Sequence, residues 1–379
     1  MELIFGVVLG LAVLVFLVVV HELGHAIIAR RNGVVVEEFG VGFPPLAWSR
    51  KLKNGVLFSL NWLPLGGFVK LKGEHDAANQ KGDYGAATFL QKTRILLAGV
   101  LINWLVAVIL LSGLAVTGLP KILDNQFSVP ADTTLVKQPV EIVDLTSGYP
   151  AEKAGIKSGD RIIRFAGQPV PSSSALIDLT KTYKGQMVDV IYSRNNVEAV
   201  TKVALRNDAK GGIFGAGLGQ RQLIKATWSA PLVGVVTTGQ LTWATLEGLG
   251  SMVGNLASGI FLQLSPDEAT RVLASDNIKA VGQGVAGPIG ILGSIFPQAE
   301  RAGPTQFIFL TAIISLTLAV MNILPIPALD GGRWFVMTLF RLMKRPLTKD
   351  TEEKIQATGF LILMGLVVLV TVADVTKLF

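Results

Sequence analysis

The sequence predicts an α-helical polytopic membrane protein with about four transmembrane helices, membrane-associated β-hairpins and an inserted α/β domain. Three observations predict this fold class. Half of the 379 residues are hydrophobic and only 16% are charged, whereas about a quarter are charged in a typical soluble protein. Four apolar runs approach the roughly twenty residues that a membrane-spanning helix needs. A polar segment of domain size separates the second run from the third.

The four apolar runs lie at about residues 3–29, 95–119, 305–324 and 355–373. The first run could be mistaken for a signal peptide. However, it carries Glu2 instead of a basic n-region, and no small-x-small cleavage site precedes His21. We therefore interpret it as a retained membrane anchor.

The distribution of charge predicts the orientation of the chain in the membrane. The net charge is +7, and basic residues collect in the connecting segments 30–94 and 333–354. The positive-inside rule places both segments in the cytoplasm, so the polar domain faces the other side. No basic stripe is interleaved with aromatic residues, which argues against nucleic-acid binding. Because the chain has no cysteine, a metal would be held by histidine and carboxylate side chains.

A His-Glu-x-x-His motif stands at the end of the first apolar run and comprises His21, Glu22 and His25. On a helix, residues i and i+4 share a face, so the two imidazoles can bind one metal ion. Glu22 lies beside them as a carboxylate that can act as a general base. Ionisable groups in a span are costly, which favours a functional role. The motif still lacks a third ligand.

Asp330 is the predicted third ligand. It follows an uncharged stretch from residue 302 to 329, in which Pro325 and Pro327 end the helix and let the chain turn back. It then lies at the cytoplasmic end of the third span, the same depth as His21. A helix-capping role is the alternative for Asp330 alone. His75, in a polar loop, is a less favoured alternative ligand.

The first cytoplasmic loop carries apolar alternation with Gly and Pro punctuation at residues 39–45 and 58–71. This pattern predicts short β-hairpins that dip back towards the membrane, with an edge that a peptide substrate could join as an added strand. An interfacial loop with scattered aromatic residues is the alternative. In the second span the single strongly polar residue, Asn103, is expected to pack between helices.

The polar segment predicts strands at 140–144, 187–192 and 199–205 and a helix near 174–182. Its residues 151–162 resemble the core signature of a PDZ domain, a module that binds extended peptide ends along a strand edge. The uncharged run 226–246 could cross the membrane or lie on it. A single extra crossing would put Asp330 on the opposite side from His21, so we expect surface helices there and a Gly/Pro bend at 284–291.

These features divide the chain into four parts. Residues 1–120 form an N-terminal membrane part with the metal motif and the hairpin loop, and residues 135–206 form the PDZ domain. Residues 225–300 supply the membrane-surface helices and the bend. Residues 302–379 form a C-terminal membrane part that holds the third ligand.

Taken together, the motifs resemble the site-2 protease family, zinc metalloproteases of regulated intramembrane proteolysis, in the bacterial form with one PDZ domain. The resemblance also covers the segments 287–289 and 322–331; Val100 departs from it, because that position is usually Pro. It implies that His21, His25 and Asp330 bind Zn²⁺ while Glu22 is the general base. It further implies contacts with the unwound substrate from these residues: Asn322, Gly66, Gly67, Phe68, Val69 and Lys70.

The predicted function is therefore that of an intramembrane zinc metalloendopeptidase in the bacterial inner membrane. Its substrates would be single-span membrane proteins of the anti-sigma-factor or remnant signal-peptide type, cut after a first cleavage by another protease. The PDZ domain, on the extracytoplasmic side, would be a size filter or a binder of new peptide C-termini. One alternative is a non-enzymatic PDZ membrane scaffold with a structural zinc. Another is a membrane-anchored zinc protease that cuts soluble chains.

Overall fold

The computed structural model describes residues 2–194, 197–207, 212–284 and 286–378. The helices are α1 (Glu2–Arg31), α2 (Phe89–Thr117), α3 (Pro150–Lys153), α4 (Ser173–Thr182), α5 (Ala230–Leu262), α6 (Glu268–Gly284), α7 (Pro288–Gly290), α8 (Phe296–Arg301), α9 (Pro304–Ile323), α10 (Asp330–Leu342) and α11 (Lys349–Leu378), with a π-helical turn at Ile291–Ile295. The strands are β1 (Val36–Lys51), β2 (Leu57–Leu71), β3 (Leu119–Pro120), β4 (Thr134–Lys137), β5 (Val140–Leu145), β6 (Arg161–Phe165), β7 (Gln168–Pro169), β8 (Met187–Arg194), β9 (Val197–Ala204), β10 (Ala216–Gly219) and β11 (Gln222–Lys225).

Four of these helices are long and apolar enough to cross a membrane, namely α1, α2, α9 and α11. The predicted polytopic helical membrane fold is confirmed. The ends of α9 follow from its sequence. Pro304 begins it at a position where no backbone donor is needed, and the helix ends at Ile323 because Leu324, which precedes Pro325, adopts an extended conformation.

The chain forms two compact units, one of Met1–Gly113 with Pro231–Phe379 and one of Leu114–Ala230. In the first unit, α1 and α2 approach each other closely at Gly24, where a Cβ would lie 2.8 Å from the carbonyl oxygen of Ala98. A buried apolar cluster forms around this contact between the helices, the hairpin and α10. Its members are Ala26, Ala29, Val34, Val36, Val56, Leu71, Tyr84, Ile95, Leu96 and Met337.

Strands β1 and β2 form the predicted hairpin. Both strands bend, so that part of each strand is paired with two different parts of the other. Phe39 of β1 is paired with Val69 and also with Phe58, so this part of β1 lies between the two halves of β2. The bend in β1 needs Gly42, whose φ is +78° and where a Cβ would lie 2.6 Å from the Leu63 carbonyl oxygen. The last part of β2 is left as an edge strand.

The second unit contains the inserted PDZ domain. Its six-stranded sheet has the order β10-β5-β6-β8-β9 with β7 beside β6, and α3 and α4 belong to the same unit. The strands and the helix expected from the sequence are present, but the sheet continues to β10, past residue 206. The glycine-rich sequence of β10 gives no alternation of apolar and polar residues, which is why sequence reasoning missed it.

Asp160 of the PDZ signature has a structural role in this unit. It is 1% exposed, and its two carboxylate oxygens accept hydrogen bonds of 2.7 Å from Nε and Nη2 of Arg194. It also accepts the backbone N–H of Lys157 at 2.8 Å. The bidentate ion pair between Asp160 and Arg194 therefore fixes the turn before β6.

Helix α5 contains most of residues 226–246, the run whose position relative to the membrane the sequence leaves open. Gly234 packs on Ser112, and Trp104 Nε1 donates to Thr242 Oγ1 at 3.1 Å. The first turns of α5 therefore run antiparallel along the C-terminal half of α2. Gly234 has no side chain, which lets α5 approach α2 closely; the expected surface placement stays a prediction. Helix α5 is not among the four membrane-spanning candidates of the described chain.

Candidate metal centre and active site

His21, His25 and Asp330 meet although 309 residues separate the first from the last. The Nε2 atom of His21 lies 3.1 Å from Asp330 Oδ2, and Nε2 of His25 lies 3.2 Å from the same oxygen. The two Nε2 atoms are 3.2 Å apart. Both histidines are buried, with 7% and 8% exposure. Among the described residues, this is the one group of His, Asp and Glu side chains placed to hold a metal ion.

The donor atoms fit a zinc ion. Two imidazole nitrogens and one carboxylate oxygen are a common ligand set for catalytic zinc. Four ligands at about 2.0–2.2 Å in a tetrahedron lie about 3.3 Å from one another, close to the 3.1–3.2 Å found between these three atoms. Three protein ligands leave one tetrahedral position for a small molecule.

Helix α2 shapes the histidine side of the cluster. His25 Nδ1 lies 2.8 Å from the backbone oxygen of Ile95, so this nitrogen donates and Nε2 is left for the metal. One turn further along α2, Gly99 faces both rings, and a Cβ there would lie 2.7 Å from His21 Nε2. A glycine at this position gives the imidazoles their space.

Asp330 is the first residue of α10, and two glycines bring it into place. A Cβ on Gly331 or Gly332 would collide with the carbonyl groups of Ile323 and Ile326, respectively. The two glycines let the start of α10 pack directly against the end of α9 and the loop that follows. The Asp-Gly-Gly sequence is thus explained by close backbone approach.

The Glu22 carboxylate lies next to the histidines on α1 and reaches the hairpin. The Val69 backbone amide lies close enough to this carboxylate to interact with it. A Cβ on Gly67 would lie 3.6 Å from Glu22 Cγ. The edge of β2, with the predicted residues Gly66, Gly67, Phe68, Val69 and Lys70, therefore borders the proposed general base.

A partly buried ion-pair network connects α10 to the loop before α2 and to α11. Arg333, one turn after Asp330, lies 2.8 Å from Glu74 Oε1 and 3.2 Å from Glu352 Oε1. Its guanidinium also lies 4.7 Å from the centre of the Tyr84 ring. Burial alone would lower the pKa of Arg333, but Coulombic attraction to its neighbours raises it above the ordinary value. The arginine therefore remains charged and ties the start of α10 to the first loop and to α11.

The other polar residues singled out in the sequence lie outside the three-ligand cluster itself. Asn322 lies half-buried in the last turn of α9. His75 is not part of the metal cluster; it lines a polar cavity of about 580 Å³ that also borders Asp330 and Arg333. Asn103, expected to pack between helices, has its Nδ2 3.4 Å from His21 Nδ1. No sequence signal placed it at the site, because its role depends on the contact between α1 and α2.

The PDZ unit has a separate groove of about 460 Å³ between α4 and β10. Ile177 and Lys181 of α4 line one side, and Ala216 and Leu218 of β10 line the other. Strand β10 is at the edge of the sheet. The groove thus offers apolar side chains and a free strand edge.

The spans and the three-ligand cluster define an integral membrane protein with the metal-binding motif of a metallopeptidase. The sequence signature of peptidase family M50 matches residues 9–366. The chain belongs to this family, the site-2 proteases, and is a metalloprotease.

Relatives support this assignment over nearly the whole chain. A Clostridium perfringens protein with a zinc-metalloprotease name is 29% identical over 359 residues, 95% of each chain. The zinc metalloprotease RasP of Geobacillus kaustophilus is 26% identical over an alignment of 443 positions that covers 96% of each chain. A solved PDZ domain of an SdrC-like protein from Listeria monocytogenes is 23% identical, with a TM-score of 0.20, and covers 24% of this chain and 93% of its own.

Proposed function

We propose that the protein is an intramembrane zinc endopeptidase that cleaves the transmembrane segments of single-span membrane proteins. The observation that carries this proposal is that Asp330 meets His21 and His25, which lie beside Glu22 on the candidate membrane-spanning helix α1. In this proposal the site residues are His21, His25 and Asp330 as zinc ligands and Glu22 as the general base.

The residues divide the chemistry between them. When bound, zinc supplies a Lewis acid that polarises the scissile carbonyl and stabilises negative charge on its oxygen. The Glu22 carboxylate accepts a proton from the attacking water and passes it to the leaving amine. The amide of Val69 orients this carboxylate. Water would reach the site through the cavity that Asp330, Glu74 and Arg333 line.

The site lies near the cytoplasmic face in the proposed orientation. At 1.5 Å per residue, His21 is about 27 Å along α1 from Leu3, and Arg30 and Arg31 end the helix. The ion pair between Glu74 and Arg333 joins the two basic connecting segments, which requires both to be on one side of the membrane. The positive-inside rule makes this side the cytoplasm of a bacterial inner membrane and places the PDZ domain outside.

The hairpin edge suits a substrate that has lost its helical hydrogen bonds. A helix commits its carbonyl groups to donors four residues away, so a transmembrane segment must unwind before a carbonyl can be attacked. Residues Gly66–Lys70 could then pair with the extended chain, as in other cases of strand addition. Asn322, at the end of α9, would hold another part of the substrate backbone.

The PDZ groove fits the end of an extended peptide, which would join β10 as an additional strand. A substrate already shortened by another protease would present such a new C-terminus on the extracytoplasmic side. This favours a second position in a two-step cleavage of anti-sigma-factor or remnant signal-peptide substrates.

Purified protein tests the proposal directly. We expect one zinc per chain and cleavage of a single-span reporter peptide in detergent micelles. Glu22→Gln should keep the zinc and lose cleavage, because it removes the base and leaves the ligands. A soluble unfolded chain serves as the control substrate and should remain intact. Cleavage by Glu22→Gln at the wild-type rate would contradict the assignment of Glu22, and equal cleavage of the soluble chain would contradict the proposed substrate class.

A further inference from the structure

We propose that Asn103 is a positioning residue that fixes the tautomer of His21 for metal binding. This inference rests on the proposed zinc site and deepens it. Asn103 is 0% exposed and lies on α2 with its Nδ2 atom 3.4 Å from His21 Nδ1. Its backbone oxygen accepts a hydrogen bond of 2.8 Å from Ser315 Oγ, which ties this turn of α2 to α9.

The tautomer of His21 decides whether the oxygen or the nitrogen of the Asn103 side-chain amide must face its ring. Nε2 of His21 points at Asp330 and His25, so this is the nitrogen that would bind the metal. A neutral imidazole that binds through Nε2 carries its proton on Nδ1, which then acts as a donor. A donor needs an acceptor, and the amide NH₂ of Asn103 is not one.

The second observation concerns the other end of the same amide. Among the described residues, Asn103 Oδ1 is a buried oxygen without a hydrogen-bond partner. The oxygen and nitrogen of an asparagine amide have nearly the same shape, so their assignment follows from the hydrogen bonds around them. Rotation of the amide by 180° places Oδ1 against His21 Nδ1–H, and the unpartnered acceptor gains its donor.

The two histidines are then held in the same way by one helix. His25 Nδ1 donates to the Ile95 backbone oxygen at 2.8 Å, and His21 Nδ1 donates to the Asn103 side chain. Ile95, Gly99 and Asn103 follow one another at intervals of four residues and therefore share one face of α2. This face supplies two acceptors with a gap between them for the rings. Acceptors of this kind fix ring orientation and raise the basicity of the ligating nitrogen.

Zinc affinity, measured by competition with a chelator, tests this role. Asn103→Leu keeps the approximate volume and removes the acceptor, so its Kd for zinc should rise by roughly 10- to 100-fold. Asn103→Asp restores an acceptor and should bind zinc nearly as tightly as wild type. Ser315→Ala is the matched control, because it removes the hydrogen bond to the Asn103 backbone and leaves the side chain; its zinc affinity should not change. The visible spectrum of the cobalt-substituted protein should be the same for wild type and Asn103→Asp.

The outcomes separate this inference from the proposed function. Wild-type affinity in Asn103→Leu would overturn the inference, and so would an Asn103→Asp protein that is folded and as weak as Asn103→Leu. Either result with a zinc-loaded wild type leaves the proposed function standing. A wild-type protein that binds no zinc would overturn the proposed function and this inference with it.

Discussion

Gly99 of α2 lies so close to His21 that a methyl group on residue 99 would come within 2.7 Å of the imidazole Nε2 atom. Side-chain carbons do not approach other atoms to less than 3.0 Å without a shift of one partner. A Cβ on residue 99 would therefore displace the Nε2 atoms of His21 and His25, the two nitrogens proposed to bind the metal. The width of the metal site is therefore set by a residue that takes no part in the chemistry.

Gly99→Ala should weaken zinc binding and reduce cleavage. Overpacking of a dense site costs about 1–3 kcal/mol, which is equivalent to roughly a 5- to 150-fold increase in Kd. The measurement is zinc competition with a chelator. Gly113→Ala on the same helix is the control, because a Cβ there meets no atom within 4 Å. If the two variants bound zinc equally well, Gly99 would not set the width of the site.

The contact between Val69 and Glu22 can be tested with a matched pair of variants. Val69→Pro removes the backbone donor that orients the carboxylate, whereas Val69→Ala keeps it and shortens only the side chain. We expect kcat for the reporter peptide to fall by about 10- to 100-fold in Val69→Pro, because misplacement of a general base is costly. Zinc content should stay at the wild-type level in both. An Ala variant as impaired as the Pro variant would assign the effect to the side chain instead.

Arg333→Met should destabilise the protein strongly, because it leaves the Glu352 carboxylate, with 6% side-chain exposure, without its charged partner. Loss of one member of a buried ion pair costs about 3–5 kcal/mol. Thermal unfolding in detergent measures the effect as a lower Tm. The control is Lys349→Met, since Lys349 and Glu353 form an exposed pair at 3.7 Å that contributes at most about 1 kcal/mol. Equal Tm values for both variants would show that the Arg333 network does not stabilise α10.

The sequence predicted the site best where the residue types themselves indicate a chemical role, such as metal binding. His21, Glu22 and His25 stand at helical spacing, and a lone carboxylate at Asp330 follows a helix-breaking pair of prolines. These patterns predicted which side chains meet, and the four apolar runs predicted the spans. The local signals are strong because each reflects one physical constraint, either ligand geometry or the thickness of the membrane.

The supporting residues could not be predicted in the same way, because their roles arise from contacts between distant elements. Asn103 resembles a packing residue until α1 is placed beside α2, and nothing in the sequence around Gly99 indicates an imidazole against it. The contact between Val69 and Glu22 depends on how the hairpin folds back on α1. Strand β10 lacks an alternating pattern because glycines occupy much of it, and it forms only where β5 offers a partner.

Removal of zinc should loosen the connection between α1 and α10. The three ligands come from helices that are far apart in the sequence, so an ion that binds only the folded state stabilises their contact. At a free zinc concentration of 100 times Kd, this linkage contributes about 2.7 kcal/mol. We therefore expect a chelator to lower the Tm of the wild type and of Glu22→Gln, which keeps all three ligands. Asp330→Ala lacks one ligand, so its Tm should respond little to either zinc or chelator. A chelator response of equal size in Asp330→Ala would mean that the stabilising ion binds elsewhere, because a site that has lost its only carboxylate ligand cannot hold zinc with the same affinity.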